Sequence, residues 1–359
     1  MPKVSILIAT LNRSNHLVRQ LSFYSKISAD FEVCIIDSSR HNCPLTEFAV
    51  EELSRNISIN YKRIAGLNDR EAIWELVNNC RQPFCAYNGD DDFLLPGGIS
   101  AARYFLENNA GYRVAHGKSR LFVSSPSVAG SSILSIGEYW GEPQRDEVSP
   151  IERLERFSRS YFVPLFSLHR TQEFLADWSF NRNNPSRTLG GELLPNFLTI
   201  ARGKAKFIDV PYLVRQSHPG RNVWPYVSPI PFDVLRNDRW FEGLEVSIEA
   251  LGCAISEQTG ISLDDSKKMA ENYFRTYFEG WMRNKYGKSY SPKVSLKYVI
   301  ASHSPAKFIS IVKRARSLFS NRYYSARCFF KNESKINGLL KECISVPLSE
   351  LLPGSERYM

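Results

Sequence analysis

No run of apolar residues in the 359-residue sequence comes near the ~18 needed to cross a bilayer. The chain opens MPKVSILIATLNR, whose apolar run is short and strand-like. A secretory leader needs a longer apolar segment and a small-residue cleavage site, so a cytoplasmic location is expected. Paired cysteines are also missing. The seven, Cys34, Cys43, Cys80, Cys85, Cys253, Cys328 and Cys343, are scattered with no C-x-x-C spacing. That argues against a disulfide framework and against a structural zinc site. Internal repeats and low-complexity segments are absent. So are helix-turn-helix, RNP and zinc-finger patterns, so no nucleic-acid partner is expected despite a net charge of +9. The charge is uneven because acidic residues are missing from one long stretch. From Gly280 to Asn332 there are twelve Lys or Arg and no Asp or Glu. By charge alone a block of that kind suits an anionic partner: lipid headgroups, nucleic acid or an acidic polymer.

What is present reads as an ordinary globular chain, long enough for one large domain or two moderate ones. Val4 to Thr10 is a continuous apolar run ending in small polar residues, as a buried parallel strand would be. Ser14 can cap a helix that places Leu17, Leu21 and Tyr24 on one face. Strands are expected at Glu32–Asp37, Ser58–Lys62 and Pro83–Tyr87, and helices at Asp69–Asn79 and Gly98–Asn108. This alternation indicates an α/β, mostly parallel sheet flanked by helices. Residues 111–150 give no clear period. Beyond them the pattern predicts helices at Ile151–Phe157, Thr171–Trp178 and Glu192–Arg202, and strands at Tyr161–His169 and Lys206–Gln216. Pro211 inside the last strand implies an edge or a bulge. Pro225, Pro229 and Pro231 cluster at an expected boundary. The expected division is therefore 1–225, with 1–110 and 111–225 as its halves, and a mainly helical, basic region over 231–359.

Asp90-Asp91-Asp92 is the strongest chemical signal. Three adjacent carboxylates repel one another, and burying them unpaired is costly. A hard divalent cation removes that penalty, because carboxylate oxygens are what Mg²⁺ and Mn²⁺ prefer. The triplet follows a strand, which puts it at the carboxyl end of the sheet, where open α/β sheets bind ligands. A solvated acidic turn or a helix-capping cluster is the alternative.

Three segments carry a family resemblance: V-S-I-L-I-A-T-L-N-R, then I-I-D-S-S, then Y-N-G-D-D-D-F-L-L-P-G-G-I. Together they resemble family 2 glycosyltransferases of the GT-A fold, especially a bacterial branch carrying G-D-D-D-F-L. The resemblance is clear over residues 3–110, fainter to about 218 and absent beyond. It implies a nucleotide-sugar donor, UDP-sugar favoured, bound with Mn²⁺ or Mg²⁺. On the matching positions, Thr10, Asn12 and Arg13 fall in the loop lining the nucleotide pocket. Asp37 falls where an acidic residue meets the base, although Ser38-Ser39-Arg40 follow it here in place of the family's acidic residues or glycines. Arg70 falls where a basic residue lies near the nucleotide, and Asp91 lies within the donor-binding triplet. Asp90 and Asp92 match the outer members of D-x-D, the first facing the ribose and both counted toward the metal. Asn12 and Asp37 also read as turn or cap residues, and Arg70 as a surface residue.

Inverting transfer needs a general base for the acceptor hydroxyl. The family resemblance points to an acidic residue opening a helix about a hundred residues after D-x-D. Glu192, in G-G-E-L-L-P, stands there, with Asp177 as the fallback. Glu192 also reads as a first-turn carboxylate serving the helix dipole. By the same resemblance His218 would complete the metal shell, and Arg215 and Arg221 beside it would meet the diphosphate; each also reads as a surface group. Pro305 to Phe319 places Phe308, Ile311, Val312, Ala315 and Phe319 on one face with Lys313, Arg314 and Arg316 outside it. That pattern fits an interfacial helix on an anionic inner-membrane surface, or a helix packed on the domain. The expected function is transfer of a sugar to a glycan or lipid-linked glycan in bacterial surface-polysaccharide synthesis. The alternatives are a nucleotidyltransferase, disfavoured because A-T-L-N-R lacks glycine, and a non-catalytic binder of anionic polymers.

Overall fold

The computed structural model describes residues 3–124, 132–139, 143–217, 239–286 and 328–358. Among them the chain forms a mixed nine-stranded sheet flanked by helices, the α/β architecture expected from the alternation. The strand order is β3-β2-β1-β4-β8-β6-β9-β5, with β7 also paired to β6. Four strands form one parallel run, β1 (Val4–Thr10), β2 (Glu32–Asp37), β3 (Ser58–Arg63) and β4 (Phe84–Gly89), and β6 and β9 pair in parallel elsewhere in the sheet. Ile6, Leu7 and Ile8 of β1 are fully buried because helices cover both faces of a central parallel strand.

The helices of this half are α1 (Ser14–Lys26), α2 (Pro44–Leu53), α3 (Asp69–Asn78) and α4 (Pro96–Asn108). α3 starts at a capping box in which the Asn68 side chain accepts from Glu71 N and Glu71 reaches back to Asn68 N. α2 and α4 each start on a proline, whose fixed φ and missing N–H suit the first helical position. α2 is absent from the sequence reading.

Register decides what faces what. Thr10 pairs with Asp37 and Ala9 with Gly89, so the carboxyl ends of β1, β2 and β4 lie level along one edge. The chain then turns through the acidic triplet into the two-residue strand β5 (Phe93–Leu94). β5 runs antiparallel to β9 (Lys204–Ser217), with Phe93 opposite Val214. That register sets Asp92 beside Arg215.

The unassigned region holds β6 (Tyr112–Ser124) and β7 (Ile133–Glu138). The strand expected at 161–169 is instead a 3₁₀ turn at Pro164–Phe166 followed by a short β8 (Leu168–Arg170), because Pro164 cannot donate to a ladder. Pro211 sits at a register shift between β6 and β9, the bulge expected of it. The later helices are α5 (Pro150–Arg159), α6 (Thr171–Trp178), α7 (Leu194–Arg202), α8 (Trp240–Thr259), α9 (Leu263–Tyr286), α10 (Ser334–Ser345) and α11 (Leu348–Leu351). Phe157, Phe197, Leu251 and Phe274 join α5, α7, α8 and α9 in one apolar cluster. α10 and α11 lie against α1, where Arg19 donates to the carbonyls of Cys343 and Val346. No helix among the described residues is long and apolar enough to cross a membrane. His218, Arg221, the proline cluster and the amphipathic stretch Pro305–Phe319 lie outside the described residues.

Candidate active site

A cleft of about 660 Å³ opens over the carboxyl ends of β1 and β4. Thr10, Arg13, Arg70, Asp90, Asp91, Asp92, Glu192 and Arg215 are all on its walls.

The triplet forms the floor, held from below by α1. Gln20 Nε2 donates to the carbonyls of Gly89 (2.8 Å) and Asp92 (2.5 Å). Asn88 Nδ2 donates to Asp92 O at 3.0 Å and to the Tyr24 hydroxyl at 3.1 Å. The side chains then divide between two arginines. Thr10 Oγ1 donates to Asp90 Oδ2 at 2.8 Å, and Arg13 bridges Asp90 (2.7 Å) and Asp91 (2.5 Å). Asp92 is fully buried and accepts from Arg215 Nε at 2.8 Å and from Gln216 N at 2.9 Å. The Arg215 guanidinium lies over the ring of Phe166 (4.1 Å) and over that of Tyr139 (4.7 Å) and donates to the Tyr139 hydroxyl. Burial works against its charge, and Asp92 and Tyr139 outweigh that, so its pKa is raised.

Glu192 occupies the opposite wall, on a π-helical turn (Leu189–Leu193) that leads into α7. Such turns are rare and concentrate at functional sites. A relay orients the carboxylate. Leu165 N donates to Asn196 Oδ1 (2.7 Å), Asn196 Nδ2 donates to the Tyr161 hydroxyl (2.8 Å), and that hydroxyl donates to Glu192 Oε1 (3.3 Å). Arg70 lies along the same turn. A Cβ on Gly190 would come within 3.2 Å of Arg70 Cδ and 2.6 Å of Asn184 Cβ, so only glycine lets the two walls approach here. Arg187 and Asp69 tie the walls with a 2.5 Å ion pair.

Other expected site residues lie elsewhere. Asp177 does not reach the cleft. It is buried beneath α7, accepting from Arg113 (2.9 and 3.1 Å), Arg202 (3.0 Å) and Thr199 (2.9 Å). That makes it the counter-charge of two arginines rather than a base open to substrate. Asp37 is also buried, accepting from Ser39 N at 2.9 Å and the Tyr61 hydroxyl at 3.1 Å. Its neighbour Ser38 lines the cleft instead. Asn12 adopts φ 55°, a left-handed conformation that asparagine tolerates, and its N–H donates to Ser39 Oγ. It shapes the loop that presents Leu11 and Arg13. Gln20, Tyr139, Tyr161 and Asn196 join the site without having been expected there. Gln20 had a signal, an amide on the apolar face set by Leu17, Leu21 and Tyr24.

The acidic floor offers a divalent cation few protein ligands. Among the described residues no three His, Cys, Asp or Glu side chains converge as a ligand set. One or two carboxylates of the triplet are therefore the most it could offer one ion, and Mg²⁺-type ions held that way complete their shell with substrate phosphates and water. The donor chemistry agrees. Burial pushes the Asp90 carboxyl up to about 7 against the pull of Arg13, so its charged form is short of compensation that a cation would supply.

No family model matches the sequence, and no curated protein matches it. Solved structures do. S. aureus TarS 1–349 is similar at 12% identity over 83% of this chain and 78% of that one, with a TM-score of 0.50. The same protein in complex with UDP-GlcNAc is similar at 15% identity over 81% and 77%, with a TM-score of 0.51. The mannosyltransferase PcManGT from Pyrobaculum calidifontis, in complex with GDP-Man and Mn²⁺, aligns over 99% and 88% at 10% identity; its TM-score of 0.44 is too low to bear on this chain. At such identities the likeness to TarS is one of fold, a mixed α/β sheet shared over most of both chains.

Proposed function

We propose that the chain transfers a glycosyl group from a nucleoside-diphosphate sugar to a hydroxyl acceptor. The observation that carries this reading is one cleft with two faces. An arginine-flanked acidic floor stands at the carboxyl ends of β1 and β4, and an oriented carboxylate, Glu192, stands across from it. The fold likeness to a protein solved with UDP-GlcNAc supports a UDP-sugar as first choice.

The nucleotide would lie over the β1–α1 loop and the start of α3, with its diphosphate above the triplet. Asp90 and Asp92 would hold Mn²⁺ or Mg²⁺, which supplies positive charge for the departing diphosphate. Arg13 and Arg70 add charge from the protein side. The acceptor oxygen attacks the anomeric carbon as the bond to the diphosphate oxygen breaks and its electron pair leaves with the nucleotide. Glu192 takes the acceptor proton, held in place by Tyr161 and Asn196. Attack from the face opposite the leaving group inverts the anomeric centre. The acceptor we favour is a glycan or lipid-linked glycan of a surface polysaccharide. The acid-free run from Gly280 to Asn332 would hold the enzyme against an anionic membrane.

Two measurements test this. Thermal-shift screening against UDP-, GDP-, CMP- and dTDP-sugars with Mn²⁺ should reveal one nucleotide. A ligand at 100 times its Kd stabilises by ~2.7 kcal/mol, which is about 3–4 °C here at ~2.1 cal/mol/K per residue. Glu192→Gln should keep that shift while kcat falls about 10²- to 10⁴-fold. An unshifted wild-type protein with every donor would sink the reading, and an undiminished kcat would move the base elsewhere.

A further inference from the structure

We propose that Arg215 is the resident counter-cation of Asp92 and gives way to the divalent ion only when a diphosphate arrives to receive it. Metal and nucleotide binding would then be coupled through this side chain in addition to the phosphate oxygens on the metal. The inference rests on the nucleotide-diphosphate reading and extends it to the order and interdependence of binding.

The starting point is that Asp92 has no idle oxygen. Oδ1 accepts from the Gln216 amide at 2.9 Å and Oδ2 from Arg215 Nε at 2.8 Å, and the side chain is fully buried. A divalent ion binds carboxylate oxygen at roughly 2.0–2.1 Å. An ion on Oδ2 would therefore sit within about 5 Å of the Arg215 guanidinium, where two cations repel strongly in a partly buried site. Asp92 can serve the metal or keep Arg215 at full strength, but not both.

The second point is where Arg215 can go. Its guanidinium lies over the Phe166 ring at 4.1 Å and over the Tyr139 ring at 4.7 Å, and Phe166 in turn stacks on Tyr87 at 6.0 Å. Cation–π contact holds the group by its faces and leaves its edge to be used. One edge faces Asp92, and Nη1 faces the Tyr139 hydroxyl. No hydrogen-bond partner for Nη2 is found among the described residues, and Arg215 lines the cleft with 13% of its side chain exposed. The two aromatic contacts can therefore retain the cation in the cleft after its bond to Asp92 is released. A planar guanidinium is well matched to phosphate oxygens.

These points fix the order of events. An ion arriving alone meets a triplet already bridged by two arginines, with too few protein ligands to complete its shell. It must displace a charge-assisted hydrogen bond and gives Arg215 no other anion. A diphosphate arriving with the ion changes both sides. It supplies the missing oxygens to the metal and a new acceptor to Arg215. By linkage, whatever factor the nucleotide adds to metal affinity the metal adds to nucleotide affinity.

The test is calorimetric titration of the full chain with Mn²⁺ alone, then with UDP or GDP, then with Mn²⁺ at saturating nucleotide. Wild-type protein should bind Mn²⁺ alone weakly and at least about tenfold more tightly with nucleotide. Arg215→Met removes the charge competing at Asp92, so Mn²⁺ alone should tighten about tenfold while the coupling factor shrinks, staying above one because the diphosphate still ligates the metal. Arg215→Gln keeps an amide donor for Asp92 and serves the same comparison if the methionine variant does not fold. Equal or weaker Mn²⁺ affinity in these variants overturns the inference. A different failure, in which UDP and GDP bind neither protein while Mn²⁺ still tightens, upholds Arg215 as the counter-cation and removes the nucleotide reading instead.

Discussion

Asp177 and Glu192 look alike in the sequence and should behave oppositely when changed. Asp177→Asn keeps the side chain's shape and deletes its charge. The structure shows the cost. Arg113 and Arg202 share this one fully buried carboxylate, at 2.9 and 3.0 Å. Removing one partner of a buried ion pair costs ~3–5 kcal/mol. Here the loss should fall near the lower end, because Arg113 keeps Glu173 at 3.2 Å and Arg202 keeps Glu257 at 3.6 Å, both in partly solvated positions. A loss of ~3 kcal/mol spread over an unfolding entropy of ~2.1 cal/mol/K per residue lowers Tm by about 4 °C. Differential scanning calorimetry reads that change. Transfer assayed well below Tm reads the chemistry, and kcat should stay within about threefold of wild type. The reasoning is refuted if Tm is unchanged while kcat drops a hundredfold, since that pattern belongs to a group that touches substrate.

Two further outcomes follow from the packing. His116 and His169 are buried, and burial pushes their pKa values down to about 4 and about 3. The unfolded chain therefore takes up protons first. Stability present above the ordinary value of ~6.5 is lost as pH falls through it, on the order of 3 kcal/mol by pH 4 for His116 alone. Tm should decline steadily from pH 6.5 to 4, and His116→Gln should flatten that slope; a slope identical to wild type would rule the histidine out. Gly89→Ala would place a Cβ 2.9 Å from Asp91 Oδ1 and 3.2 Å from Asp92 Oδ2, forcing the triplet to move. Nucleotide affinity in the presence of Mn²⁺ should fall at least about tenfold by calorimetry with Tm nearly unchanged, and retained affinity would show that the triplet does not set the donor site.

Local sequence pattern was enough to locate strands β1 to β4 and the acidic floor. β1, β2 and β4 are buried on both faces, so each appears as an unbroken apolar run whatever the rest of the chain does. The triplet's position after β4 then followed from chain order alone. Local pattern failed where an element exists because of its neighbours. β6 carries Arg113, His116, Lys118 and Arg120 among its apolar residues, and only pairing with β8, β9 and β7 makes it a strand. α2 is a short helix whose buried face is just Leu45, Thr46, Ala49 and Leu53. The site divides the same way. Carboxylates at Asp90, Asp92, Asp177 and Glu192 could all be nominated by residue type and spacing. Which of them face the cleft depends on which cation the fold delivers to each. Asp177 receives Arg113 and Arg202, and Asp92 receives Arg215 from 123 positions away. Periodicity encodes burial within one element, whereas a charge pair across the sheet is set by register between strands. Only the tertiary structure decides that.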